Sequence, residues 1–124
     1  MKVSATRAEG TLKGLNYQFY DAGHIPGSSP IQLEAEGKRI VYTGDIRNAE
    51  SRLMNPADTS YEMPVDVLIT ESTYGDRDHP LRAKTEKEFL AAVGKTVAKG
   101  GSVLVPVFGV GRAQELLLLL AEQD

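Results

Sequence analysis

The run Ile31-Gln32-Leu33-Glu34-Ala35-Glu36, with Gly37-Lys38 after it and then Arg39-Ile40-Val41-Tyr42-Thr43, restricts this chain more than any other segment. Apolar residues at every second position place Ile31, Leu33 and Ala35 on one face of a strand and leave the other face wet. A turn at Gly37-Lys38 folds the second run back as a hairpin. Leu15-Asn16-Tyr17-Gln18-Phe19-Tyr20 alternates in the same way and predicts a strand upstream. Two glycine-containing turns flank this small sheet. Asp21-Ala22-Gly23-His24-Ile25-Pro26-Gly27-Ser28 precedes the hairpin, and Tyr42-Thr43-Gly44-Asp45 closes it. Each presents a good metal-ligand type at a strand end, where a rigid sheet can hold two side chains over one site.

Beyond Asp45 the rhythm changes. Residues 46–64 are polar and aperiodic, which predicts a long loop of functional or flexible character. Val65-Asp66-Val67-Leu68-Ile69-Thr70 reads as a buried strand ending at Glu71, and residues 72–80 as loop. Thr85-Glu86-Lys87-Glu88 has the pattern of a capping box. Phe89, Leu90, Val93 and Val97 then recur at helical spacing until Gly100-Gly101 ends the helix. Ser102-Val103-Leu104-Val105-Pro106-Val107-Phe108 predicts another strand. Gly109-Val110-Gly111 turns the chain into a last helix from about Arg112, with leucine from 116 to 120. A helix apolar on every side should be buried. The organisation is α/β in two parts: an antiparallel β half over 1–64 and an alternating α/β half over 65–124.

The candidate residues each carry two readings. His24 is a metal ligand through one ring nitrogen, with Asp21 available as an acceptor, or a structural histidine in a turn. Asp45 can bind or bridge metal ions, or cap its turn. Glu71 ends an apolar strand beside a polar loop. It suits acid/base or orienting work, or simply bonds to loop amides. Gly111 and Arg112 stand at a strand-to-helix junction that favours an anion such as phosphate, or merely packs closely. His79, in Asp76-Arg77-Asp78-His79-Pro80, contacts substrate or bonds locally. The charges of the first helix read as a solvated face.

Bulk properties narrow the classes. With 41% hydrophobic and 25% charged residues, the chain is ordinary for a globular protein. Its 124 residues suggest one domain or a piece of a larger one. The net charge of −3 provides no global basic field, so nucleic acid would need a local patch. The absence of cysteine excludes disulfides and thiolate metal sites and fits a cytoplasmic address. The first residues lack the apolar core of a signal peptide, and no apolar run can span a bilayer, so no membrane partner is expected. Only two histidines are present, His24 and His79, so a complete metal site is short of ligands.

Together these segments resemble the β-CASP branch of the metallo-β-lactamase fold, which includes mRNA 3′-end processing nucleases and RNase J. Asp21-Ala22-Gly23-His24 with Gly27-Ser28 is similar to the third metal motif. Tyr42-Thr43-Gly44-Asp45 is similar to the fourth. Ile69-Thr70-Glu71-Ser72-Thr73-Tyr74-Gly75 resembles the acidic motif that opens the β-CASP domain, and residues 105–115 resemble the strand-to-helix segment that follows it. The resemblance implies a partial metallo-β-lactamase fold over 1–64 running into the start of a β-CASP domain over 65–124. It implies two zinc ions that activate water for attack on an RNA phosphodiester. In that scheme His24 binds one zinc, Asp45 bridges both, and Glu71 orients neighbouring catalytic groups. Gly111 and Arg112 are then candidate contacts to an RNA phosphate.

The departures are equally specific. The family's His-x-His-x-Asp-His cluster and its two later β-CASP histidines have no counterpart here. The chain therefore reads as the middle of a longer ribonuclease, inactive in isolation, with RNA, a complementing nuclease chain or a second copy as partners. An exposed sheet edge and uncovered apolar helix faces are expected of such a piece. A non-catalytic scaffold that binds RNA or a nuclease is the alternative of a different class. A small-molecule hydrolase of the lactamase fold is a further one, against which the Glu71 to Gly75 segment argues.

Overall fold

The computed structural model describes residues 2 and 7–123. The chain divides into two compact units, Met1–Glu71 and Ser72–Asp124. The first holds a five-stranded sheet in the order β1-β2-β3-β4-β5. Its strands are β1 (Glu9–Leu12), β2 (Leu15–Phe19), β3 (Ile31–Ala35), β4 (Lys38–Tyr42) and β5 (Val67–Ile69). The first four form an antiparallel meander, and β5 runs parallel to β4. That pairing places residues 67–69 in the same sheet as the meander.

The expected hairpin is present, with its turn one residue earlier than the sequence reading. Ala35 faces Lys38, which leaves Glu36 and Gly37 as the two turn residues. Their φ angles of 51° and 71° give both the left-handed backbone of the two-residue turns that match strand twist. Lys13 and Gly14 repeat the device between β1 and β2, with φ of 49° and 84°. β1 has no sequence signal of its own, being short, polar and largely exposed. Its strand character comes from pairing with β2, where Gly10 faces Tyr17 and Thr11 faces Asn16.

The register sorts the side chains into two very different faces. One carries two apolar rows, Tyr17-Leu33-Ile40-Val67 and Phe19-Ile31-Tyr42-Ile69. The other carries Gln18, Gln32, Val41 and Leu68. The face read as wet is the one that becomes covered. Val41 is fully buried and Gln32 is buried with it, alongside Tyr20, Ala22, Pro30 and Met54.

The cover is the segment 46–64, read from sequence as a loop of functional or flexible character. Gln32 donates its Nε2–H to the Glu62 carbonyl at 2.8 Å and accepts the Glu62 N–H at 3.0 Å. It thus mimics a strand neighbour for a residue outside the sheet. The Tyr20 hydroxyl lies 2.8 Å from Gln32 Oε1, and its ring meets Tyr61 edge-on with centroids 4.8 Å apart.

The second unit contains α1 (Arg82–Val97) and α2 (Arg112–Ala121). α1 starts ahead of the expected capping box. Leu81 is its N-cap without a side-chain bond, and Thr85 lies inside the helix, its hydroxyl donating back to the Leu81 carbonyl at 3.3 Å. Arg82 anchors this start through Glu86 and Glu115, both at 2.5 Å. Burial lowers the Arg82 pKa, but the hydrogen bonds that the guanidinium donates to both carboxylates outweigh it and hold the pKa above its usual value. The helix ends as expected: the Gly100 N–H reaches Val97 and the Gly101 N–H reaches Thr96. Residues 102–108 do not form the expected strand. A strand exists through a neighbour that takes its N–H and C=O groups, and the described elements of this unit are two helices. The leucine run of α2 is likewise mostly uncovered, with Leu119 its one buried residue.

Candidate metal centre

The turn that carries His24 rests on a buried tripeptide. Asp21, Ala22 and Gly23 are all buried, and their backbone groups are bonded in four directions. The Ala22 N–H goes to Ser28 at 3.0 Å, and the Ala22 carbonyl accepts from Arg47 at 2.9 Å. The Asp21 carbonyl accepts from Asp58 at 2.8 Å. Asp21 Oδ1 accepts the Gly23 N–H at 2.8 Å, an Asx-type turn in which a short side chain replaces a backbone partner. Ser28 closes the far side, with its hydroxyl bonded to both the N–H and the carbonyl of Ile25.

Asp45 stands on the neighbouring loop, just past β4. Thr43 is buried and continues the β4–β5 ladder, its N–H reaching Ile69 at 3.0 Å. Its hydroxyl lies 3.0 Å from that of Thr70. Beyond Asp45, the Ile46 N–H donates to Glu71 Oε1 at 2.9 Å, and the Arg47 N–H reaches the His24 turn. Asp45 is therefore held on both sides: by the sheet through Thr43, and by Glu71 and Ala22 through the residues after it.

These constraints bring the two sequence candidates together. His24 Nε2 lies 3.8 Å from Asp45 Oδ2, with the imidazole half-buried and the carboxylate exposed. Two donors on one tetrahedral zinc, each roughly 2.1 Å from it, stand about 3.4 Å apart. A neutral imidazole nitrogen and a carboxylate oxygen at the observed spacing fit such an ion as two of its ligands. Among the described residues no group of three or more His, Cys, Asp or Glu side chains could hold a metal. Glu71 has its Oε1 on the Ile46 amide, an orienting contact.

Gly111 and Arg112 lie in the second unit. Gly111 is the N-cap of α2 with φ of 79°, and Arg112 is exposed. The N–H groups of Arg112 and Ala113 are directed to the carbonyls of Val110 and Phe108, and Glu115 places a carboxylate in the first turn. Two of the donors that would greet an anion are thus already engaged. His79 stacks on Tyr74 with ring centroids 3.7 Å apart, and the Arg77 guanidinium lies 5.2 Å from the same ring centre.

Sequence reasoning did not find the contribution of residues 47–58. Their contacts with the His24 turn run through backbone atoms of Arg47, Asn55, Ala57 and Asp58. No side-chain pattern marks them, so only the tight packing around Gly23 reveals them.

No family model matches the chain. It is 46% identical over 110 residues to an RNase J-like protein of Methanocaldococcus jannaschii, covering 87% of this chain and 26% of that protein. It is 44% identical over 113 residues to RNase aCSPSF2 of Saccharolobus solfataricus, covering 91% of this chain and 23% of that one. It is 45% identical over 114 residues to Cleavage and polyadenylation specificity factor 73 of Drosophila melanogaster, covering 92% and 16%. These identities, over about nine-tenths of this chain, support the β-CASP nuclease family, of whose members the chain matches a segment. It spans about a quarter or less of the length of these relatives.

Proposed function

We propose that this chain supplies His24 and Asp45 to a zinc-dependent ribonuclease centre that hydrolyses RNA phosphodiesters. The observation that carries the reading is the 3.8 Å approach of His24 Nε2 to Asp45 Oδ2 across two separately braced turns. Names of relatives such as RNase aCSPSF2 support RNA as the substrate class. Zinc, when bound, lowers the pKa of water and offsets negative charge on phosphoryl oxygen. The chain's own residues do the positioning. His24 offers Nε2 from a turn that rests on the buried, hydrogen-bonded residues 21–23. Asp45 would offer Oδ2 from the solvent side as the carboxylate donor beside it. Glu71 keeps the Asp45 loop in place through the Ile46 amide.

Two protein donors are fewer than the four of a closed zinc site, so zinc binding by the 124-residue chain is weak and RNA hydrolysis is absent. The test is zinc titration of the purified chain, read at the His24 ring resonances by NMR, beside an RNA cleavage assay. The expected result is a zinc-dependent shift, lost in His24→Ala and weakened in Asp45→Ala, with intact RNA throughout. A His24 ring indifferent to zinc removes the metal reading. Metal-dependent cleavage by the chain, lost in His24→Ala, overturns its inactivity.

A further inference from the structure

We propose that Asp21 is the positioning residue of His24, an inference that rests on the metal reading above and assigns the residue that holds the ligand. Asp21 is buried, at 9% exposure, at the start of the turn. Its carboxylate accepts the Gly23 N–H, the last backbone donor before His24. Its own carbonyl accepts the Asp58 N–H, so the same residue ties the turn to the covering segment. Gly23 is wedged into that segment. A Cβ there would stand 2.5 Å from the Ala57 nitrogen, 2.7 Å from the Arg47 carbonyl and 2.8 Å from the Asn55 carbonyl. With no slack at Gly23, the direction of the next residue follows from the Asp21 hydrogen bond. Without that bond the Gly23 N–H loses its acceptor inside a packed site, where an unmade bond is costly. The turn then relaxes, and the imidazole loses its fixed approach to Asp45.

The role needs an acceptor oxygen at Asp21, and asparagine retains one. The test compares Asp21→Ala and Asp21→Asn in the 124-residue chain, with Val41→Ala as a destabilised core variant on β4. Cobalt(II) binding is followed by visible absorption at a temperature where every variant is folded. Asp21→Ala is expected to bind cobalt about tenfold to a hundredfold more weakly, the cost seen when an outer partner of a ligand is lost. Asp21→Asn and Val41→Ala are expected to stay within about twofold of the parent. Parental affinity in Asp21→Ala, or equal weakness in Asp21→Asn, overturns the proposal.

A second measurement separates this proposal from the metal reading. If the parent binds cobalt no better than His24→Ala, the metal reading falls, and metal-free NMR decides the positioning role. Faster Gly23 amide exchange and a displaced His24 ring resonance in Asp21→Ala, both restored in Asp21→Asn, support it. An unchanged spectrum around residues 23–24 in Asp21→Ala overturns it.

Discussion

Gly23 has a φ of 65° and three backbone atoms within 2.8 Å of where a Cβ would stand. Replacement by alanine adds left-handed strain to a clash that no rotamer can relieve. Gly23→Ala should cost about 2–4 kcal/mol from strain plus overpacking. Urea unfolding of the variant beside the parent measures it, and a loss below 1 kcal/mol would mean that the covering segment yields. His24 and Asp45 were legible as ligand types in their turns. Their convergence on one site was expected from the two turns, but the bonds that produce it, from Arg47 to Ala22 and from Ile46 to Glu71, were not legible because they join residues far apart in the chain.

The junction of β4 with β5 shows how charge supports an element. Lys38 Nζ lies 2.7 Å from Asp66 Oδ1, and the Arg39 N–H donates to Oδ2 at 2.9 Å. The Lys38 hydrogen bond holds the Asp66 pKa below the usual carboxylate value. Asp58 is also depressed: burial raises its pKa, but hydrogen bonds from Ser60 and Arg7 prevail. An unfolded aspartate titrates near about 3.9, so both groups favour the folded state above that pH. That contribution is lost as the pH falls through their lower folded values. The urea midpoint should therefore be steady from about pH 7 to 5 and decline below about pH 4. Asp66→Asn should lower the neutral plateau and flatten the acid decline, and an unchanged profile would remove the linkage. At this scale β2, β3 and β4 were legible from their alternation, α1 from its helical spacing and α2 from the glycine turn before it, whereas β5, read as a buried strand, is exposed because nothing in its own unit covers it. β1 was not, because a short polar segment becomes a strand only through its neighbour. Residues 102–108 erred in the opposite direction, since strand propensity without a partner makes no ladder.

Across the whole molecule, apolar surface stands out. The sheet face bearing Ile40, Tyr42, Val67 and Ile69 is partly open, with Tyr42 54% exposed. In the second unit Leu104, Phe108 and Leu117 are largely exposed. Exposed apolar side chains in each unit promote association in water. The chain should self-associate with rising concentration in sedimentation velocity runs, and Tyr42→Lys should reduce the association. A concentration-independent monomer would refute the prediction. No described helix is long and apolar enough to cross a membrane.

Sequence alone determined the features that are local: the alternation of β3 and β4, the glycine turn between them, the ligand types at 24 and 45, and the family motifs around them. These depend on neighbouring residues and backbone preferences, which are written in the order of the chain. Tertiary structure decided which sheet face was covered, that residues 46–64 would brace the site, and which backbone bonds hold His24 beside Asp45. Each of those outcomes depends on hydrogen bonds and packing between distant residues, and several involve backbone atoms common to every amino acid. Such contacts leave no signature in a side-chain pattern.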